Sequence, residues 1–127
     1  MIHLLLVALG GAIGASLRHL SGTFFLRTFG PGFPYGTLFV NVAGSLAMGL
    51  FIGWLVRRTG GSSQELRLFV ATGLLGGFTT FSAFSLDFAT LWEDGRLTIA
   101  LGYAAASVAL SLAAIFAGLW LARAALA

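Results

Sequence analysis

The chain has 127 residues, of which 58% are hydrophobic and only 9% are charged, and its mean hydropathy is +0.98. A soluble domain carries roughly 25% charged residues, so this composition excludes an ordinary water-soluble enzyme or nucleic-acid-binding domain. The net charge of +3 comes from seven scattered Arg, which form no basic patch for nucleic acid, and the absence of cysteine excludes disulfides and Cys-based metal sites.

Four apolar runs fill most of the chain, and each exceeds the roughly 20 residues that a helix needs to cross a bilayer. They predict an all-α integral membrane protein with one domain, 1–127, and four transmembrane helices at about residues 2–26, 35–56, 66–92 and 97–122. The first run lacks the features of a cleaved signal peptide, so we expect it to be retained. The predicted connectors are residues 28–34, the polar loop 57–65 and the turn 93–96.

The third run contains a glycine-rich stretch, residues 73–80 (GLLGGFTT), in its middle. Because glycine is a weak helix former, we expect this helix to be broken in mid-membrane. A break frees backbone groups that an ion, water or protein must then satisfy. Glycines at four-residue spacing also let helix backbones approach closely and predict a compact bundle. The pairs are Gly10 with Gly14, Gly49 with Gly53, and Gly73 with Gly77.

The two ends of the predicted bundle differ by only one or two Arg, depending on whether Arg18, part-way down the first run, is counted. The end with both termini holds Arg57, Arg58, Arg67 and Arg123, and the other end holds Arg27 and Arg96. The difference in Lys and Arg between loops sets orientation, and here that difference is small. Either the chain inserts in both directions, which would allow an antiparallel dimer, or it takes one orientation with a modest positive-inside bias; the charges leave both open.

Polar residues recur every four positions in two of the runs, so each set lies on one helical face. These polar stripes are Thr37, Asn41 and Ser45 in the second run, and Tyr103, Ser107 and Ser111 in the fourth. Two stripes on facing helices predict a polar path, since polar groups in a membrane face the bundle interior or a water-filled passage. The alternative is local: the hydroxyls bond to their own helices, and Asn41 joins two helices.

Four further side chains bear on the ion that such a path would accept. Phe81 and Phe84 fall on one face, and the positive edge of an aromatic ring can meet an anion; alternatively they pack in the core or face lipid. Arg18, inside the first run, would favour a nearby anion, unless it reaches the interface or bonds to freed carbonyls. Asp87 is its acidic counterpart in the third run, and whether the two pair stays open.

Three motifs stand in order along the chain: residues 10–18 (GGAIGASLR), 36–44 (GTLFVNVAG) and 73–84 (GLLGGFTTFSAF). Together with the four spans and the total length, they resemble the Fluc fluoride channels, also called CrcB, over essentially the whole chain. The resemblance implies an antiparallel, dual-topology homodimer in the bacterial inner membrane. It also implies two pores that export fluoride passively as a defence against its toxicity.

The resemblance further implies roles for individual residues. The pore and fluoride path would comprise Asn41, Phe81, Phe84, Thr37, Tyr103, Ser107 and Ser111, with Thr80 and Ser82 of the TTFSxF motif. A structural sodium ion at the dimer centre would be bound by main-chain carbonyls of Gly76 and Thr79, with no organic cofactor. Arg18 matches an Arg of the family's first span.

Two positions depart from the family pattern that the resemblance implies. Ala83 stands where the motif often has Thr, which removes a hydroxyl from the polar track. Asp87 stands where Glu is common, which shortens an acidic side chain.

Two other functions compete with a channel. A proton-coupled exporter of the small multidrug type also has four short helices, but it needs an intramembrane carboxylate, and Asp87 is the only candidate. A non-conducting subunit that scaffolds a partner would leave both polar stripes without a purpose. We expect no enzymatic activity, because the sequence has no nucleophile with a base, no cluster of His and carboxylates, and no phosphate-binding loop. The expected partners are fluoride, lipid and a second copy of the chain.

Overall fold

The computed structural model describes residues 1–59 and 63–126, and within them all regular structure is helical. Residues 60–62 of the predicted loop 57–65 lie outside the described residues. The helices are α1 (Ile2–Phe29), α2 (Tyr35–Thr59), α3 (Gln64–Arg67), a π-helical segment (Leu68–Leu75), α4 (Gly76–Phe78), α5 (Phe81–Glu93) and α6 (Leu97–Leu126). The stretch from α3 to α5 forms the third span.

The described part contains four helical stretches long and apolar enough to cross a membrane, which confirms the four predicted spans. Most extend a few residues past the predicted ends, because Arg27 and Arg58 continue their helices beyond the apolar runs. Such long side chains reach the headgroup region from a helix end. α1 stops at Gly30, whose φ of 79° favours glycine and whose N–H donates to the Leu26 carbonyl at 2.9 Å.

Glycine contacts divide the bundle into two closely packed pairs. α2 packs along α6, where a Cβ on Gly49 would overlap the Ile115 carbonyl oxygen. α1 packs along the π-helical segment, where a Cβ on Gly10 would overlap the Phe69 carbonyl oxygen. The predicted close packing is therefore present, with backbone against backbone.

Helical structure stops between α4 and α5. Thr79 (φ −85°, ψ 158°) and Thr80 (φ −153°, ψ 124°) are extended, and α5 begins at Phe81. The Thr80 hydroxyl caps α5 by accepting a hydrogen bond from the Ala83 N–H at 3.2 Å, as N-cap threonines do. We refer to Thr79 and Thr80 as the interruption.

The buried core around Tyr103 is small. Tyr103 and Ala100 of α6 are fully buried and pack with Leu91 of α5. Phe33, Leu38, Phe84 and Phe88 pack against this cluster. Many large apolar side chains elsewhere are exposed, for example Phe116 at 68%. This outward apolar surface is what lipid-facing helices require.

Candidate functional site

A cavity of about 440 Å³ lies between α2, α5 and α6 and is called the central cavity below. Its polar lining comes from three elements: Asn41 and Ser45 of α2, Ser107 and Ser111 of α6, and Thr79 and Thr80 of the interruption. Phe81 and Phe84 complete the wall together with Gly44, Met48, Val108, Leu112 and Ile115. None of the described residues that line it carries a charge. The cavity thus presents hydroxyls, an amide and two aromatic rings to its contents.

Ser107 lines this cavity, and its buried hydroxyl has no hydrogen-bond partner among the described residues. The residue is 6% exposed. Ser16 and Ser85, in contrast, donate to carbonyls of their own helices at 2.7 and 3.1 Å. An unsatisfied buried polar group costs about 1–3 kcal/mol. The Ser107 hydroxyl does not bond back to its own helix, so it would gain a hydrogen bond from any acceptor that reached it.

Asn41 joins α2 to the interruption while it lines the cavity. Its Nδ2 donates to the Thr80 carbonyl at 3.0 Å, and its Oδ1 accepts from the Thr80 N–H at 2.8 Å. Both backbone groups of an extended residue are thereby satisfied. The sequence left open whether Asn41 joins two segments or lines a path. The Asn41 side chain does join α2 to the interruption, and it also lines the central cavity.

These bonds release two carbonyls of the third span. In a continuous helix the Thr80 N–H would donate to Gly76 and the Ala83 N–H to Thr79. Here the Thr80 N–H donates to Asn41 and the Ala83 N–H donates to the Thr80 hydroxyl. Freed carbonyl oxygens of an unwound segment are ligands that a sodium ion prefers. The two oxygens fit the cation site that the family resemblance implies.

Phe81 and Phe84 form a ring pair at the edge of the central cavity. Their ring centroids are 5.5 Å apart at an interplanar angle of 48°. Phe81 is 77% exposed although it lines the cavity. A single chain therefore does not enclose the cavity on that side.

The two intramembrane charges do not pair with each other. Arg18 donates from Nε to the Gly77 carbonyl at 3.0 Å, which is the bond to a freed carbonyl that the sequence left open. Asp87 accepts from the Tyr103 hydroxyl at 3.1 Å. The Arg18 side chain also lines a second cavity of about 330 Å³ with Thr37 and Thr80.

Three of the predicted path residues lie away from the central cavity. Thr37 lines the second cavity, and Tyr103 is fully buried. The hydroxyls of Thr37 and Ser107 lie near that of Tyr103, although Ser107 makes no hydrogen bond to it. Ser82 is exposed, and its Oγ lies 3.4 Å from the Thr80 hydroxyl.

Two contacts near Tyr103 were not predicted from the sequence. The Phe33 ring packs edge-on against the Tyr103 ring, with centroids 5.5 Å apart at 86°. Arg96 donates from Nη1 to the Gly32 carbonyl at 2.6 Å. Both contacts involve the connector between α1 and α2. The sequence of this connector has no helical periodicity from which the contacts of its residues could be predicted.

The fold and the cavity define a multi-pass α-helical membrane protein with an uncharged polar site between its spans. The chain belongs to the CrcB family: the family model described as "CrcB-like protein, Camphor Resistance (CrcB)" matches residues 5–119. This confirms the resemblance drawn from the three motifs.

Named relatives cover nearly the whole chain. A Mesorhizobium japonicum protein named "Fluoride-specific ion channel FluC" is 62% identical over 97% of this chain and 98% of its own length. Proteins of the same name from Chelativorans sp. and Hyphomonas neptunium are each 61% identical, over 97% and 94% of this chain and 98% and 94% of their own lengths. The protein is thus a multi-pass bacterial membrane protein and not an enzyme.

Proposed function

We propose that this chain forms a fluoride-selective channel that exports fluoride passively and so lowers its toxicity in the cytoplasm. The observation that carries the proposal is a cavity with polar but no charged lining residues among those described, one of which, Ser107, has a buried hydroxyl without a hydrogen-bond partner. The relatives named for fluoride-specific conduction support the choice of ion.

The cavity chemistry is suited to fluoride. Fluoride is small, strongly hydrated and a strong hydrogen-bond acceptor, so it must exchange its water for other donors. Ser107, Ser111 and the Asn41 amide provide donors, and the ring edges of Phe81 and Phe84 provide weak positive potential. Uncharged donors bind an anion without trapping it, and a conducting site must release its ion.

We further propose an antiparallel, dual-topology homodimer with two pores. Phe81 lines the central cavity and is 77% exposed, so the cavity needs another surface to close it. A second copy of the chain would supply that surface and continue the path past the ring pair. Thr37, Thr80, Ser82, Tyr103 and Ser111 would then contribute hydroxyls along the two paths.

The proposal includes one structural sodium ion at the dimer centre and a break of the third span in mid-membrane. The main-chain carbonyls of Gly76 and Thr79 would hold the ion. This assignment is supported because the N–H groups of Thr80 and Ala83, their partners in a continuous helix, bond to other acceptors. When bound, the ion would neutralise freed carbonyl dipoles. Raising sodium at constant ionic strength should then raise the melting temperature of the dimer, and an unchanged melting temperature would remove the ion from the proposal.

The deciding experiment measures fluoride efflux from liposomes that contain the purified protein, followed with a fluoride electrode. Wild type should release fluoride rapidly and exclude chloride, and Phe81→Ile should abolish the release. Ser107→Ala should slow it by at least about tenfold, the size of one lost hydrogen bond to a charged partner. Ser16→Ala is the matched control and should leave the rate unchanged, because its hydroxyl bonds to its own helix.

Two results would contradict the proposal. Full transport by both the Phe81 and Ser107 variants would mean that the ion does not pass through the central cavity. A requirement for a proton gradient would instead favour the exporter, with Asp87 as the coupling carboxylate.

A further inference from the structure

We infer that Phe33, held in place by Arg96, is a positioning residue for the Tyr103 hydroxyl. The inference rests on the proposed function and adds a contribution from the connector between α1 and α2, called the strap below (residues 30–34). The contacts of Phe33, Arg96 and Tyr103 carry it.

The strap is tied to the connector between α5 and α6. Arg96, in the turn before α6, donates from its guanidinium to the Gly32 carbonyl at 2.6 Å in an exposed hydrogen bond. A hydrogen bond from a charged donor is about twice as strong as a neutral one. This bond joins the two connectors at the same end of the bundle. Phe33 follows Gly32 directly, so the bond restrains the backbone from which the Phe33 ring extends.

The Phe33 ring is one of two that hold Tyr103. It meets the Tyr103 ring edge-on at 5.5 Å, and the Phe84 ring meets it at 5.2 Å and 44°. Phe84 also lines the central cavity. The Tyr103 ring, fully buried, is therefore in contact with the strap through one ring and with the cavity wall through the other.

The orientation of Tyr103 decides which donors remain free. Its hydroxyl donates to Asp87 Oδ2 at 3.1 Å, and the Ser107 hydroxyl lies one helical turn away without a partner. If the Tyr103 ring shifted away from Asp87, its hydroxyl oxygen could come within reach of the Ser107 O–H and accept a hydrogen bond from it, which would remove a free donor from the path. By holding Tyr103 against Asp87, the strap keeps Ser107 available to the anion.

A transport-independent measurement tests this directly. The chain has two tyrosines, so in a Tyr35→Phe background a single ¹³Cζ-tyrosine NMR resonance reports the Tyr103 hydroxyl. Asp87→Ala marks the position of that resonance without the hydrogen bond. Phe33→Leu should move the resonance toward the Asp87→Ala position. Phe29→Leu is the matched control, because Phe29 packs on Phe25 and Tyr35 and should not move it.

Fluoride efflux provides the functional arm. Phe33→Leu should slow efflux about three- to tenfold, the range that corresponds to the loss of one aromatic contact, and Phe33→Tyr should restore it. In a Tyr103→Phe background, Phe33→Leu should have no further effect, because the hydroxyl through which it acts is gone. Arg96→Gln should slow efflux to a similar extent as Phe33→Leu, and Arg96→Lys should slow it less. If the Phe33→Leu protein does not fold, the Arg96→Gln variant serves as the test in its place.

The outcomes separate this inference from the proposed function. An unmoved Tyr103 resonance, or equal slowing by Phe33→Leu with and without the Tyr103 hydroxyl, overturns the positioning role and leaves a packing role. A moved resonance in a protein whose wild type releases no fluoride supports the positioning role while the proposed function fails.

Discussion

The Asn41 amide makes both of its hydrogen bonds to the backbone of one residue, Thr80. Thr80 is extended, so no helix satisfies its N–H and C=O groups. Where water is absent, unpaired backbone groups cost several kcal/mol. Asn41 thus replaces the missing helical bonds of the interruption. Because the same side chain lines the central cavity, the cavity wall and the backbone are fixed together.

Asn41→Ala should destabilise the protein by about 2–4 kcal/mol, because two backbone groups lose their partners. The amide of Thr80 should also exchange its hydrogen faster, and both effects are measurable by thermal melting and hydrogen exchange. Ser85→Ala removes only a bond within α5 and should change stability by less than about 1 kcal/mol. Unchanged exchange at Thr80 in the Asn41 variant would show that another group satisfies it.

Of the six side chains that helical periodicity placed in the two polar stripes, four line the central cavity. Asn41, Ser45, Ser107 and Ser111 line it together, since four-residue spacing alone fixes a common face. The same rule could not place Thr37, which lies on the stripe of Asn41 but lines the second cavity. Which cavity a residue of this stripe lines depends on where the interruption lies against α2. The spacing of residues within α2 does not predict that position.

Close backbone contact between α1 and the third span depends on glycine. A Cβ on Gly14 would overlap the Leu74 carbonyl oxygen, and that atom cannot move aside as a side chain can. The sequence predicted such contacts from the glycine spacing. It could not predict that α1 pairs with the third span and α2 with α6, because the same glycine spacing occurs in three of the spans and does not identify a partner. The π-helical geometry of Leu68–Leu75 was also not predicted. This segment packs closely against α1, and the sequence pattern did not predict which helix packs there.

Gly14→Ala should destabilise the bundle by about 1–3 kcal/mol, because the helices must separate to admit the methyl group. Gly102→Ala is the matched control: it lies within α6 with open space around its Cβ position. There the better helix propensity of alanine should raise stability by up to about 1 kcal/mol. Thermal melting of both variants measures the difference, and equal melting temperatures would contradict tight packing at Gly14.

The whole chain has a difference of only two Arg between its two ends and an incomplete cavity on one side. Four Arg lie at the end with both termini and two at the other, so the loop charges impose little orientation. A chain that inserts in both directions can assemble antiparallel with a copy of itself. This would bring a second surface to the exposed Phe81 and give each of two equivalent cavities the same closure.

The orientation of the chain in the membrane can be measured by labelling single introduced cysteines, since the chain has no cysteine of its own. Asp94→Cys lies in the turn before α6 and Ser63→Cys lies just before α3, at opposite ends of the third span. With dual topology, a membrane-impermeant maleimide added outside sealed vesicles should label about half of the chains in each variant, because a difference of two Arg imposes little orientation. Labelling that is nearly complete in one variant and absent in the other would show a single orientation. It would require the partner surface at Phe81 to come from a parallel copy or another protein.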